Sequence, residues 1–154
     1  MRNFLLSLTA ILIFATPIWG ETITIPGPEG PLEGELISAS DASDIVVIIP
    51  GSGPIDRDGN MPSFQSKTGL YKQIAEALSA EGVASLRVDK RGFFGSEQAI
   101  ADPNGVTIGG YAEDMVNWVG RARQEAPAFG SRAIPKVVWW RSTQRKPRLK
   151  GFAE

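Results

Sequence analysis

Between residues 21 and 125 the chain switches between two hydrophobic periods, and each switch predicts an element. "ETITIP" and "LEGELIS" alternate apolar with polar residues on either side of "GPEGP", a Pro/Gly turn, which predicts an opening β-hairpin. "DIVVIIP" is an unbroken β-branched run closed by Pro50, the pattern of a strand buried on both faces of a parallel sheet. In "LYKQIAEALSAEG" the period lengthens to that of a helix, setting Leu70, Ile74, Ala77 and Leu78 on one stripe, with Gly82 as the stop. "VASLRVDKRG" predicts another strand. "YAEDMVNWVGRARQE" then places Tyr111, Met115, Trp118, Val119 and Ala122 on one face of a second helix. A hairpin followed by strand, helix, strand and helix predicts an α/β domain with a partly parallel sheet. There is no internal repeat.

In sheets of this kind ligands bind outside the carboxyl ends of the strands. Two glycine-rich loops, residues 50–60 and 89–96, fall there. The first, within "VVIIPGSGPIDRDGN", has the look of an anion cradle, so its rivals must be weighed residue by residue. A Walker A loop requires a Lys-Ser or Lys-Thr pair at a fixed distance from Gly51, and there is none. Gly51 and Gly53 do not extend to G-x-G-x-x-G, because Asp56 takes the last position. Asp56, Asp58 and Asn60 alternate as in a calcium loop, but Met61 replaces the required glycine and Lys67 the closing glutamate. From these residues alone, the remaining reading is a polar turn in which Asp56 and Asp58 satisfy nearby backbone N–H groups. Ser52 is not read as a nucleophile. A nucleophile elbow has the form G-x-S-x-G, and Pro50 and Pro54 stand where its glycines belong.

Composition narrows the chemistry further. The chain has 154 residues, one modest domain, with no cysteine and no histidine. Disulfides and Cys-based metal sites are excluded, as are an imidazole base and an imidazole metal ligand. The net charge of −1 hides a reversal: residues 1–125 hold nine Lys/Arg against 16 Asp/Glu, whereas residues 126–154 hold seven against one. Such a break marks either an interaction tail or a segment foreign to the domain before it. At the other end, "MRNFLLSLTAILIFATPIWG" has one early basic residue, an apolar run and a small-residue zone, so residues 1–20 are read as a secretory signal peptide. The run is short for a membrane span, although an uncleaved segment would act as an anchor. Export to the periplasm or medium is the expectation.

"PGSGPIDRDGN", followed about thirty residues later by "RVDKRGFFGSE", resembles the paired signatures of a bacterial branch of the α/β-hydrolase superfamily, the serine-aminopeptidase-like or esterase-like group. The resemblance covers roughly residues 22–125. It implies an ester, amide or thioester hydrolase with a Ser–His–Asp/Glu triad and no metal or other cofactor. It places Gly51, Ser52 and Gly53 in the oxyanion loop after the third strand, with the Ser52 N–H as the favoured donor. Preorganised N–H groups there stabilise charge that appears only in the transition state. Asp56, Arg57 and Asp58 become loop-bracing residues, with Asp56 and Arg57 expected to ion-pair with the "DKRG" segment, Arg91 for example. Asp89, Lys90, Arg91, Gly92, Gly95 and Ser96 shape the following loop. All of these are scaffold.

After Glu125 the chain departs from the pattern. "KVVWW" resembles the next strand, but no G-x-S-x-G follows it, and the later acid and histidine have no counterpart. The expectation is an incomplete α/β-hydrolase sheet (residues 21–125) that lacks the nucleophile elbow and C-terminal half, followed by a basic, poorly ordered tail (residues 126–154). One base out of frame, suitable codons for residues 144–149 read Ser-Glu-Ser-Leu-Ala, similar to residues at and after a nucleophile, so a frameshift after about Glu125 is the expected origin. The triad being absent, the chain is expected to be inactive. The alternatives are a hydrolase completed by another chain and a non-catalytic small-molecule or anion-binding module. Basic residues around Trp139 and Trp140 raise contact with nucleic acid or an anionic membrane, but an exported protein is not expected to meet nucleic acid. An unprotected edge at the fourth strand or "KVVWW", with Trp118 incompletely covered, predicts marginal stability and self-association through that edge.

Overall fold

A computed structural model of the protein describes residues 20–39, 42, 44–125 and 134–139, the last six by their backbone. The signal-peptide reading of residues 1–20, but for Gly20, and most of the basic tail lie outside the described residues.

The hairpin forms as predicted. β1 (Glu21–Pro26) pairs antiparallel with β2 (Pro31–Ile37), and the Gly27 N–H closes the turn on the Gly30 carbonyl at 3.0 Å. β3 (Asp44–Ile49), α1 (Leu70–Ala80), β4 (Ala84–Val88) and α2 (Ile108–Glu125) follow in the predicted order. One more strand, β5 (Ile134–Trp139), takes in most of "KVVWW" and pairs parallel with β3 from Asp44↔Ile134 to Ile49↔Trp139. The sheet order is β1-β2-β4-β3-β5, mixed, with β3 and β4 parallel and β2 antiparallel to β4. β4 is therefore an interior strand, and of the two edges that the sequence left open it is "KVVWW", in β5, that takes the outer place. Among the described residues the edge strands are β1 and β5.

β3 is buried on both faces because its side chains serve two cores. Ile45, Val47 and Ile49 join Leu32, Leu36, Leu86 and Val88 beneath α2, whereas Val46 and Ile48 join Ile37 beneath α1. The α2 face presents Met115, Trp118 and Ala122 to the sheet, as its periodicity predicted, with Tyr111 and Val119 half-buried at its margin. Trp118 is fully buried, which corrects the expectation that it stays partly uncovered. The correction has a local cause. Gly34 on β2 leaves out a side chain, and a Cβ there would stand 3.0 Å from the Trp118 ring, so the indole seats directly on the strand. The α1 stripe is also turned from the predicted one: Tyr71 and Ala75 are buried and Ile74 and Leu78 pack beside them, while Leu70 and Ala77 are exposed. Tyr71 lies beneath the glycine loop and its aromatic bulk claims the core side of the first turn.

Candidate functional site

β3 ends at Ile49, and the chain enters the glycine loop at the carboxyl edge of the sheet. The loop is held from below by the residues that follow β4. Lys90 is buried, and its ammonium donates to the carbonyls of Gly51 and Gly53, both at 2.5 Å. It also lies 5.2 Å from the centre of the Phe93 ring, within cation–π reach. Burial pulls the Lys90 ammonium below the ordinary lysine value. The Gly51 N–H reaches the Tyr71 hydroxyl at 3.4 Å. No hydrogen bond among the described residues engages the Ser52 N–H, and Ser52 is exposed. Gly53 has φ +91°, and a Cβ there would meet no atom within 4 Å, so glycine serves its backbone conformation and not a close contact.

The second half of the loop is an electrostatic brace. The Asp56 carboxylate accepts from the N–H of Asp58 at 2.9 Å and of Asn60 at 2.8 Å, and from the Asn60 amide at 3.0 Å. It serves its own turn, and the expected partnership with Arg91 does not form. The reason is position: Asp56 sits in the segment leading into α1, whereas Arg91 lies on the α2 side. There its guanidinium grips Asp114 with two bonds of 2.7 Å and the Gly110 carbonyl at 2.9 Å. Those bonds to Asp114 hold Arg91 above its ordinary value.

Arg57 does meet the "DKRG" segment, at Asp89. The Arg57 N–H donates to the Asp89 carboxylate at 2.8 Å, the Nε of its guanidinium lies 3.1 Å from the other oxygen, and Nη2 donates to Glu33 of β2, while Nη1 is buried without a partner among the described residues. Asp89 is 1% exposed. Burial pushes its carboxyl up, while Arg57 and the N–H of Gly95 pull the other way. Asp58 is bound by Arg87, which also pairs with Glu35 directly across the β2–β4 register. The polar-turn reading therefore holds for Asp56 but not for Asp58, whose carboxylate serves an ion pair.

Sequence reasoning missed Arg87, Glu33, Glu35, Tyr71 and Asp114. Arg87 lay within the quoted "RVDKRGFFGSE", and its place between Leu86 and Val88 in an otherwise uncharged strand was the available signal. The others needed the sheet register or the helix docking.

Above the loop opens a cavity of about 1050 Å³. Ile49, Pro50, Ile55, Phe93, Ile108 and Met115 make its walls apolar, and Ser52, Lys90 and Tyr111 supply the polar points. Burial raises the Tyr111 phenol, against the pull of Arg91. Among the described residues, no group of acidic side chains is placed to hold a metal ion, and no helix is long and apolar enough to cross a membrane.

No family model matches the chain. None of the curated proteins matches it either. Solved structures do. An α/β serine hydrolase without a lid from Xanthomonas campestris is similar over 79% of this chain and 52% of its own, at 15% identity and a TM-score of 0.52. An α/β serine hydrolase homologue from Coxiella burnetii is similar over 76% of this chain and 50% of its own, at 21% identity and a TM-score of 0.48. The fold is that of the α/β hydrolases. The chain spans about half the length of the solved structures it matches.

Proposed function

We propose that residues 50–60 are the oxyanion side of a serine-hydrolase-type site, with the Ser52 N–H as the donor. The observation that carries this reading is the unengaged Ser52 N–H at the carboxyl end of β3, beside a cavity with apolar walls. The substrate class would be a carbonyl compound with an apolar acyl or leaving group: an ester, amide or thioester. These 154 residues contain no histidine and no G-x-S-x-G, so they hold neither the base nor the elbow nucleophile of a Ser–His–Asp triad. By themselves they bind a carbonyl or carboxylate oxygen without turning it over. Hydrolysis of p-nitrophenyl butyrate by the purified chain tests this. No rate above buffer is expected, in wild type or Ser52→Ala, and serine-dependent turnover by the chain alone would overturn it.

The same reading includes export on residues 1–20, which the N-terminal sequence of extracytoplasmic protein checks: a start near Glu21 supports it and a retained Met1 refutes it. It also includes self-association through the β5 edge of the sheet, supported by the place of β5 at the end of the strand order. A catalytic partner chain would dock at this same edge.

A further inference from the structure

Among the cations described here, Lys90 is set apart by its surroundings. Arg57, Arg87, Arg91 and Arg121 each meet a carboxylate. Lys90 is 8% exposed, yet no carboxylate among the described residues lies within ion-pair distance of it. Its charge is met by two carbonyl dipoles and an aromatic ring, and it lines the cavity. A buried ammonium without a counter-ion is costly to keep in a protein interior, so its retention calls for a task.

The geometry supplies one. In a trans peptide the carbonyl and the N–H of the same unit point in opposite directions. The chain has no cis peptide among the described residues. Drawing the Gly51 carbonyl onto Lys90 therefore turns the Ser52 N–H away from the ammonium. The second bond, to the Gly53 carbonyl, fixes the far side of Ser52 as well, and that carbonyl also accepts from the Ile55 N–H at 2.9 Å. Ser52 is thus pinned on both flanks while its own N–H is left unengaged.

We infer that Lys90 is the positioning residue of this loop: it sets the Gly51–Ser52 peptide so that the Ser52 N–H is presented to the cavity, and its uncompensated charge makes the cavity select a carboxylate on an apolar chain over a neutral molecule of the same shape. The selection rests on the oxyanion reading of the loop; the pinning does not. The occupant is defined by this chemistry: one oxyanion for the N–H and the ammonium field, and an apolar body for Ile49, Ile55, Phe93 and Met115.

The test uses the full 154-residue chain labelled with ¹⁵N, compared with Lys90→Met, which replaces the aliphatic stem and removes charge and donors. Without ligand, the Ser52 amide order parameter is expected to fall below about 0.6 in the variant. The amides of Val47 and Leu86, in the sheet, should stay unchanged. An unaltered Ser52 overturns the inference. If Lys90→Met does not fold, judged by those two sheet amides, Lys90→Leu, which likewise carries neither charge nor donor, supplies the same comparison. With ligand, octanoate and octan-1-ol are titrated separately. Octanoate is expected to shift the Ser52 amide in wild type and to bind about tenfold more weakly to the variant, the order of a through-space interaction with one partly buried charge. Binding of octan-1-ol should be equal in both, which a general collapse of the cavity would not allow. Equal octanoate affinity in wild type and variant overturns the selection by Lys90 and leaves the loop reading standing. If octanoate leaves Ser52 of wild type unmoved while the order parameter still depends on Lys90, the oxyanion reading fails and the pinning survives.

Discussion

Replacing Arg87 by methionine isolates the most heavily invested charge in the domain. Arg87 is fully buried next to the last residue of β4, with Glu35 and Asp58 as its partners. Methionine fills the volume of the aliphatic stem, so the loss is electrostatic and not a cavity. Removing one member of a fully buried ion pair costs about 3–5 kcal/mol, because the survivor is left charged without a partner. Here the survivors are a quarter to a third exposed, at 26% for Glu35 and 34% for Asp58, and water reaches them once the guanidinium is gone. The low end of the range applies, about 3 kcal/mol. With a urea dependence of about 1.5 kcal/mol per molar, the unfolding midpoint should fall by about 2 M. Adding Glu35→Gln and Asp58→Asn to Arg87→Met discharges both orphans and should recover about 2 kcal/mol of the loss. Urea titrations followed by tryptophan fluorescence, at one pH and salt concentration, measure all three proteins. A single variant within about 1 kcal/mol of wild type, or a triple variant no more stable than the single, would refute the reasoning.

Three further outcomes are expected. Gly34→Ala puts a Cβ 2.9 Å from the Arg87 carbonyl and 3.0 Å from the Trp118 ring. The paired strands resist yielding there, so a loss of about 1–3 kcal/mol should appear as a lower melting temperature, and an unchanged one would show that both the strand and Trp118 give way. Burial holds Lys90 below its ordinary 10.5, so between its folded value and 10.5 the unfolded chain binds more protons than the folded one. Wild-type stability relative to Lys90→Met should therefore rise as the pH climbs through that window and fall as it descends; urea midpoints taken from neutral pH upward check the sign. Self-association through β5 should make the sedimentation coefficient grow with protein concentration, and a constant monomer value across a hundredfold range would rule it out.

Much of the fold was legible because it rests on short-range rules. The turn "GPEGP" gave the hairpin, and the β-branched run of residues 44–49 gave a strand buried on both faces. The two helical periods gave α1 and α2. The α1 stripe was read one position off, since periodicity alone does not say which of Leu70 and Tyr71 leads into the core, and the answer depends on the glycine loop above. Trp118 was misjudged for a similar reason: the sequence shows Gly34 and Trp118 far apart, and only the β2–α2 contact reveals that one makes room for the other. For the loop, Arg57 was correctly aimed at the "DKRG" segment but Asp56 was not. Charge complementarity is visible in a sequence, whereas the side of the sheet on which a charge emerges depends on strand register.

Register also accounts for why the two glycine-rich motifs work as a unit. Successive residues leaving an extended strand point to opposite sides. Asp89 and Lys90 are neighbours just past the end of β4, so one dipeptide reaches in two directions: the carboxylate takes Arg57, and the ammonium takes the carbonyls of Gly51 and Gly53. Both ends of the segment 51–57 are thereby tied to the same rigid strand, which is flanked on both sides by other strands of the sheet. A further tie comes from Ser96, whose buried hydroxyl accepts from the Glu33 N–H at 2.9 Å and donates to the Asp89 carbonyl at 3.2 Å, linking the loop back to β2. Inserting one residue between Val88 and Asp89 would exchange the two directions, presenting the ammonium to Arg57 and the carboxylate to the loop carbonyls. Both contacts would become repulsive at once, so the order acid-then-lysine at this position is fixed by the pleat of the strand as firmly as any core residue.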